Sequence, residues 1–294
     1  MASRTRQQQA RQNHAQTDKG YEMYTYKQPL KENEIRLLRL LRGQGNDPLQ
    51  ANLQIFSFPG EHARVSEQKP SETEELEEPP EYEALSYYWG EKHDPESEYS
   101  INIIEDNDTF RMNIRPNLQS ALRQLRYAGE YRWLWVDALC LNQMIKDDAD
   151  KGNEKNVQIP RMHLIYNKAV CVCIWLGIAD EYSDDAMDFV THVSDLDAFD
   201  DHFRDVAKVQ RLDNFARLLR RDWFGRRWIV QELAVARSAV LYCGTKECFG
   251  ETLQVLLHSS HQTMLTSKKC FGSRRHMAFN LSILAMSDKW EPTA

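Results

Sequence analysis

Hydrophobic residues recur along the chain with two different periods, which predict strands separated by helices. Apolar runs of strand length occupy residues 82–90, 101–104, 133–141, 169–176 and 239–244. Apolar residues spaced three and four positions apart predict helices over 117–126, 156–168, 183–194, 202–221, 223–237 and 250–285. Leu53 and Ile55 alternate with polar neighbours, as in a half-buried strand, whereas residues 35–41 have a helix-like or mixed pattern.

The succession of strands and helices points to an α/β fold. Residues 133–141 are almost continuously apolar, as in a strand that is buried on both faces of a parallel sheet. We therefore expect a mainly parallel central sheet that is flanked by helices and interrupted by insertions.

Two segments stand outside this pattern of strands and helices. Residues 1–20 are polar and rich in Gln, Arg and Asn, which predicts a disordered arm. Residues 66–81 are acidic and contain three prolines, which predicts an exposed loop. We assign residues 21–294 to a single domain whose part from residue 250 onward is helical. The chain ends at Ala294 without an evident closing element, which would fit a segment of a longer protein.

Composition excludes several classes of protein. Apolar residues make up 41% of the 294 residues, which is enough for a core and excludes wholesale disorder. No stretch approaches the ~20 consecutive apolar residues of a membrane helix, and residues 1–16 lack the apolar centre of a secretory signal. We therefore expect a cytoplasmic protein without a membrane span.

The six cysteines are too few for a disulfide scaffold, and four of them lie in apolar runs typical of a reduced core. Cys171 and Cys173 alternate, so both thiols face the same side of a predicted strand. No His or further Cys follows at a spacing typical of zinc sites. The sequence therefore predicts no metal site.

The net charge of −7 argues against nucleic-acid binding, but the charges are unevenly distributed. Residues 67–83 carry eight Glu and one Lys, and residues 204–227 carry eight Lys or Arg against three Asp. The basic stretch could face an anionic ligand or form a solvated helix face.

Three sequence blocks occur in a fixed order: YEALSYYWG at 82–90, WVDALCLNQ at 135–143 and WFGRRWIVQE at 223–232. In order and spacing they resemble the characteristic blocks of the fungal heterokaryon incompatibility (HET) domain, over roughly residues 21–250. The resemblance implies a fungal, intracellular protein that triggers programmed cell death after nonself recognition. It also implies a recognition partner or self-association.

Two of these blocks also resemble parts of TIR domains. YEALSY at 82–87 is similar to the first TIR strand, and WIVQEL at 228–233 is similar to the TIR helix with the pattern Trp-Cys-x-x-Glu-Leu, with Ile229 in place of Cys. This second resemblance implies a TIR-like, flavodoxin-like core. It also implies that Glu232 acts in cleaving the nicotinamide–ribose bond of NAD+, which would be a substrate. No cofactor is implied.

Glu232 is the candidate catalytic residue. It lies between apolar neighbours, where a carboxylate is either paired with an arginine or kept for catalysis. The arginines close in sequence are Arg226, Arg227 and Arg237. A carboxylate near a ribose that loses nicotinamide could stabilise the oxocarbenium-like charge, as in glycoside hydrolysis.

The candidate substrate-binding residues are expected at strand ends or beside the helix that carries Glu232. They are Ser86, Tyr87, Tyr88, Trp89, Gly90, Asp137, Asn142, Arg226, Arg227 and Trp228. The two arginines could bind a pyrophosphate, and the aromatic residues could either stack on a base or pack in the core. Asp137, predicted inside an apolar strand, could shape the site or anchor a loop.

Two functions therefore remain open from the sequence. The first is an NAD+-hydrolysing cell-death effector. The second is a non-enzymatic signalling module that acts by assembling with itself or with partner domains.

Overall fold

A computed structural model of the protein describes residues 21–59, 76–90, 99–143, 154–192, 206–226 and 229–249. The predicted arm at 1–20, residues 66–75 of the acidic loop and the predicted helical segment at 250–285 lie outside the described residues.

Nine strands form a single sheet within the described residues. They are β1 (Glu34–Leu40), β2 (Gln50–Ser57), β3 (Glu83–Tyr87), β4 (Ser100–Glu105), β5 (Asp108–Asn113), β6 (Arg132–Trp135), β7 (Cys171–Trp175), β8 (Ala239–Cys243) and β9 (Lys246–Phe249). Their spatial order is β5-β4-β2-β1-β6-β3-β7-β8-β9.

The described helices follow the strands along the chain. They are α1 (Pro116–Leu125), α2 (Asp137–Cys140), α3 (Glu154–Gln158), α4 (Met162–Lys168), α5 (Ser183–His192), α6 (Val206–Leu218) and α7 (Ile229–Ala234). Short 3-10 turns cover Ile159–Arg161 and Asp222–Gly225. Among the described residues, no helix is long and apolar enough to cross a membrane.

The α/β class is confirmed, but the sheet is mixed rather than mainly parallel as predicted. The adjacent strands β6, β3, β7 and β8 form a parallel core. The pairings β1–β2, β1–β6, β4–β5 and β8–β9 are antiparallel. Three of them join strands that follow each other along the chain, where a short connection favours antiparallel pairing. Strands β5 and β9 were not predicted from the sequence.

Three predicted elements differ from the structure. Of residues 35–41, all but the last fall in strand β1 rather than in a helix-like segment. This strand pairs with β2 and β6 at its two edges and is buried on both faces, which removes the alternation typical of a strand. The predicted strand 133–141 ends at Trp135, so that Asp137 begins helix α2 instead of lying inside a strand. The predicted helix 223–237 is divided into a 3-10 turn and the short helix α7.

Within the parallel core, the order of the strands along the chain is not their order in space. Numbered by their sequence, β3, β6, β7 and β8 have the spatial order 2-1-3-4. After β3, the chain adds β6 on one side of β3 and then β7 and β8 on the other side, so the strand order reverses between the parallel strands β3 and β7. Open α/β sheets bind ligands outside the carboxyl ends of strands at such a point.

A buried ion pair connects the first strand to the segment after β6. Glu154 is fully buried, and its carboxylate accepts hydrogen bonds from Arg36 (Nη1 to Oε1, 2.9 Å) and from the backbone N–H groups of Leu30 and Asn142. Arg36 Nη1 also donates to the carbonyl of Cys140 at 2.9 Å. Because every charged atom of this network has a partner, it can lie inside the apolar core.

We predict that Glu154→Gln lowers the free energy of unfolding by about 3 kcal/mol, since it leaves the buried guanidinium of Arg36 without a charged partner. Asp106→Asn is the matched control, because it removes the same charge from the exposed pair with Lys27 and should cost less than ~1 kcal/mol. Urea denaturation measures both values. Equal losses in the two variants would contradict the structural role of Glu154.

Candidate functional site

Four side chains form a hydrogen-bonded cluster where β3 meets α7; we call Ser86, Trp223, Arg226 and Glu232 the Glu232 cluster. The Ser86 hydroxyl donates to Oε2 of Glu232. Trp223 Nε1 and Arg226 Nη1 donate to Ser86 Oγ at 2.8 and 3.0 Å. Arg226 also donates to both carboxylate oxygens of Glu232, at 3.1 Å to Oε2 and 2.9 Å to Oε1.

The local fold explains how these side chains meet. Ser86 precedes the last residue of β3. The 3-10 turn Asp222–Gly225 buries Trp223 against Phe224, and the backbone N–H of Arg226 bonds to the Trp223 carbonyl at 3.2 Å. One tight turn therefore directs both donors toward Ser86, and α7 follows with the carboxylate.

The hydrogen-bonding capacity of the cluster is nearly filled. A hydroxyl has one proton and two lone pairs, and all three are used at Ser86. The carboxylate of Glu232 accepts three hydrogen bonds from Ser86 and Arg226, which leaves about one of its four acceptor positions, on Oε1. The Glu232 side chain is 2% exposed and that of Arg226 is 15% exposed. Arg226 is therefore the more accessible partner of the buried ion pair.

Asp137 is a second carboxylate beside this cluster. Its Oδ2 accepts a hydrogen bond from Trp89 Nε1 at 2.8 Å, and its Oδ1 accepts one from the backbone N–H of Ala138. Burial raises the pKa of Asp137 to about 6, against the lowering effects of Trp89 and of the nearby Arg226 charge, while the charge of Glu232 raises it further. The site therefore contains a carboxyl group that titrates near neutral pH.

Hydrogen bonds from Arg115, which precedes α1, and from Asn117 of α1 fix the segment after β3. Arg115 Nη1 donates to the carbonyl of Gly90 at 2.6 Å, and its guanidinium lies 5.1 Å from the ring centre of Trp89. Asn117 bonds through Nδ2 to the Tyr88 carbonyl and accepts a hydrogen bond from Trp175 Nε1 at 2.9 Å. Gly90 has a φ of +78°, which favours glycine at this position.

Two tyrosines complete the surroundings of the carboxylates. The Tyr166 ring packs edge-on against Trp135, with ring centres 5.5 Å apart. Burial, followed by the negative charges of Glu232 and Asp137, raises the pKa of Tyr166 well above its ordinary value. Burial and the charge of Asp137 do the same for Tyr87. Both phenols therefore remain protonated near neutral pH.

The structure brings together most, but not all, of the predicted site residues. Ser86, Asp137, Arg226 and Glu232 lie in or beside the Glu232 cluster, and Tyr87, Tyr88, Trp89 and Gly90 lie at the end of β3 next to it. Asn142 instead binds Glu154 through its backbone N–H, so it belongs to the buried network around Arg36. Arg227 and Trp228 lie outside the described residues.

Three residues that contact the site were not among the residues predicted from the sequence. Trp223 opens the third block and Tyr166 follows the second block, so their aromatic character was visible, but the hydrogen bond and the electrostatic contacts were not. Arg115 lies in none of the three sequence blocks. The described side chains that could together ligate a metal ion, Glu83, Cys171 and Cys173, lie at the opposite end of the parallel strands.

The Glu232 cluster lies within a segment that matches a known protein family. A family profile described as "Heterokaryon incompatibility protein (HET)" matches residues 82–232, which is just over half of the chain and extends from the start of β3 to Glu232. The chain belongs to the heterokaryon incompatibility (HET) family. The HET match therefore contains all four residues of the Glu232 cluster.

A curated relative supports the assignment to the HET family. "Heterokaryon incompatibility protein 6, OR allele" from Neurospora crassa is 28% identical over 239 residues, which cover 65% of this chain. The aligned part spans 34% of the relative, so the chain corresponds to about a third of that protein's length. No solved structure matches the chain significantly.

We predict that Asp137 makes stability depend on pH. Because its pKa is raised on folding from 3.8 to about 6, its stabilising contribution is complete below about pH 4 and is lost as the pH rises through 6. Asp137→Asn should remove this decrease, which amounts to about 2–3 kcal/mol. Urea denaturation at several pH values measures it, and Asp222→Asn, at an exposed position, is the control. Parallel pH profiles for Asp137→Asn and the unchanged protein would refute the assignment.

Proposed function

We propose that this HET domain is a cell-death effector of fungal nonself recognition and that it hydrolyses NAD+ to nicotinamide and ADP-ribose. The observation that carries the proposal is the oriented carboxylate of Glu232 at the carboxyl ends of β3 and β7. The printed name of the Neurospora relative supports the role in incompatibility. The order 2-1-3-4 of the parallel core supports the TIR-like, flavodoxin-like interpretation of the fold.

In the proposed reaction, water replaces nicotinamide at the anomeric carbon of the ribose. The C–N bond breaks, nicotinamide leaves with the bonding electron pair, water forms the new C–O bond, and one proton is released. The transition state carries positive charge on the ribose. Glu232 would stabilise that charge or hold a ribose hydroxyl through the remaining acceptor position of Oε1.

The residues around Glu232 would have supporting roles in this reaction. Arg226 holds the Glu232 carboxylate in one orientation through hydrogen bonds to both of its oxygens. Trp89 and Tyr88 are half-buried beside it and could stack on the nicotinamide or adenine ring. Asp137, with its pKa of about 6, could take up the proton that is released when water adds.

One observation favours the non-enzymatic alternative. Both oxygens of Glu232 are bonded to Arg226 and its side chain is only 2% exposed, which is also the geometry of a structural ion pair. If the pair serves only stability, the domain acts by assembling with itself or with partner domains. Substitution of the pair distinguishes the two functions.

We predict that Glu232→Gln reduces the release of nicotinamide from NAD+ by about 10²–10³-fold, because the neutral amide cannot stabilise the oxocarbenium-like charge. Chromatographic measurement of nicotinamide follows the reaction. Glu247→Gln, which removes the same charge from an exposed position in strand β9, should keep full activity.

A second variant separates catalysis from folding. Replacing the pair together, as Arg226→Met with Glu232→Leu, leaves no unpaired buried charge and should preserve the fold. We expect this double variant to be folded and inactive. Nicotinamide release at the unchanged rate by either variant would exclude Glu232 as the catalytic carboxylate.

The same variants test the biological role in fungal cells. If NAD+ hydrolysis causes death, cells that express the folded Arg226→Met, Glu232→Leu variant survive, whereas cells that express the unchanged protein or Glu247→Gln die. Viable-cell counts and cellular NAD+ give the result. Killing by the folded double variant at unchanged NAD+ would support the assembly mechanism instead.

A further inference from the structure

Three side chains with metal-binding atoms meet at the end of the sheet that lies away from the Glu232 cluster. Glu83 is the first residue of β3 and Cys171 is the first residue of β7, and the two are register partners. Cys173 follows two residues later, so its side chain lies on the same face of β7 as Cys171. Glu83 and Ser86 are three residues apart in β3, so they point to opposite faces. This group is therefore separate from the proposed reaction site.

The three ligand atoms are close enough to share one ion. One carboxylate oxygen of Glu83 and the sulfur atoms of Cys171 and Cys173 all lie within 4.8 Å of one another. In a tetrahedral zinc site, with Zn–S near 2.3 Å and Zn–O of 2.0–2.2 Å, ligand atoms are separated by about 3.5–4 Å. Small side-chain rotations would bring the three atoms to these separations.

We propose that Glu83, Cys171 and Cys173 form a binding site for a thiophilic divalent cation of the Zn²⁺ class. Two sulfur ligands and one carboxylate oxygen suit zinc and disfavour Mg²⁺ or Ca²⁺, which take oxygen ligands. Glu83 and Cys171 are half-buried, so a water molecule can supply a fourth ligand from solvent. The ion would link the adjacent strands β3 and β7.

Arg132 is placed to support such a site. Its Nε donates to Oε1 of Glu83 at 3.0 Å. Its Nη2 donates to Oε2 of Glu83 and to the sulfur of Cys173, the latter at 3.3 Å. Its guanidinium also lies 4.7 Å from the ring centre of Tyr127, which limits its movement. Hydrogen bonds to the outer atoms of metal ligands fix the orientation of those ligands. Arg132 would have this positioning role for Glu83 and Cys173.

The charges of the group balance before and after binding. Without a metal ion, the carboxylate of Glu83 is paired with Arg132, and the group is neutral when both thiols are protonated. On binding, Zn²⁺ forms two Zn–S bonds, and the two S–H bonds release two protons to solvent. The metal-bound group then contains two thiolates, one carboxylate, one guanidinium and one divalent cation, so its net charge is again zero. Exchange of one ion for two protons therefore leaves no net charge in this half-buried place.

This site was not predicted from the sequence, because one ligand comes from a distant strand. Glu83 and Cys173 are 90 residues apart, and their hydrogen bond, from Sγ to Oε2 at 2.7 Å, depends on the parallel pairing of β3 with β7. Cys171 and Cys173 alone provide two ligands without a recognisable zinc spacing.

Titration of the reduced 294-residue chain with Co²⁺ tests the proposal, because Co²⁺ gives a sulfur-to-metal absorption band when thiolates bind it. We expect one Co²⁺ per chain, two protons released for each ion, and loss of the band when Zn²⁺ displaces the cobalt. Cys171→Ser and Cys173→Ser should each abolish the band. Glu83→Gln should weaken binding at least about ten-fold.

Cys248→Ser is the matched control, because it removes another buried thiol from the strand after β8 and should leave the titration unchanged. Cys270→Ser tests the cysteine that lies outside the described residues. Circular dichroism shows whether each variant is folded. Absence of the band in the unchanged chain, its persistence in folded Cys171→Ser, or equal affinity in Glu83→Gln would overturn the three-ligand site.

Discussion

The carboxylate of Glu232 can be buried to 2% exposure only because Arg226 lies beside it with N–H groups directed at both of its oxygens. An unpaired charge in that position would cost several kcal/mol. The need to pair the Glu232 carboxylate constrains the surrounding structure. The 3-10 turn must deliver Arg226 and Trp223 together, Ser86 must lie near the end of β3, and α7 must begin soon after the turn. The parallel core, the turn and the short helix are therefore linked through one charge.

Among the described residues, Glu154 and Glu232 are the carboxylates that lie almost fully buried beside an arginine, and the surroundings of these two pairs differ. The pair of Arg36 and Glu154 also binds backbone groups, and it connects segments that are distant in the sequence. The pair of Arg226 and Glu232 instead includes a hydroxyl and an indole, and its arginine retains some exposure. Backbone partners are typical of a structural anchor, whereas side-chain partners and partial exposure leave room for contact with a ligand.

Local patterns predicted much of the fold, and the errors have physical causes. Period-two and period-3.6 patterns located β2 and α1, in which one face is more buried than the other, and a continuous apolar run located β7, which is buried on both faces. The pattern failed at residues 35–41, where burial on both faces of β1 removes the alternation that identifies a strand. It failed again at Asp137, because an apolar run continues from β6 into α2 while the backbone changes conformation. At the site, the importance of Glu232 was visible from its apolar neighbours. Three arginines close in sequence were candidates for the ion pair with Glu232, and the structure identifies Arg226. The contacts of Trp223 and Tyr166 with the site could not be predicted, because they depend on tertiary structure.

The strand order shows that the segment that matches the HET family does not contain all strands of the sheet. The HET match begins at residue 82, yet β1 and β2, which precede it, lie in the middle of the sheet between β4 and β6. A fragment cut to residues 82–232 would leave the hairpin of β4 and β5 detached from the parallel core and would expose the backbone edge of β6. Unpaired edges of this kind promote aggregation. For this protein, the unit that is recognised by its sequence is smaller than the unit that must be expressed to obtain a stable sheet.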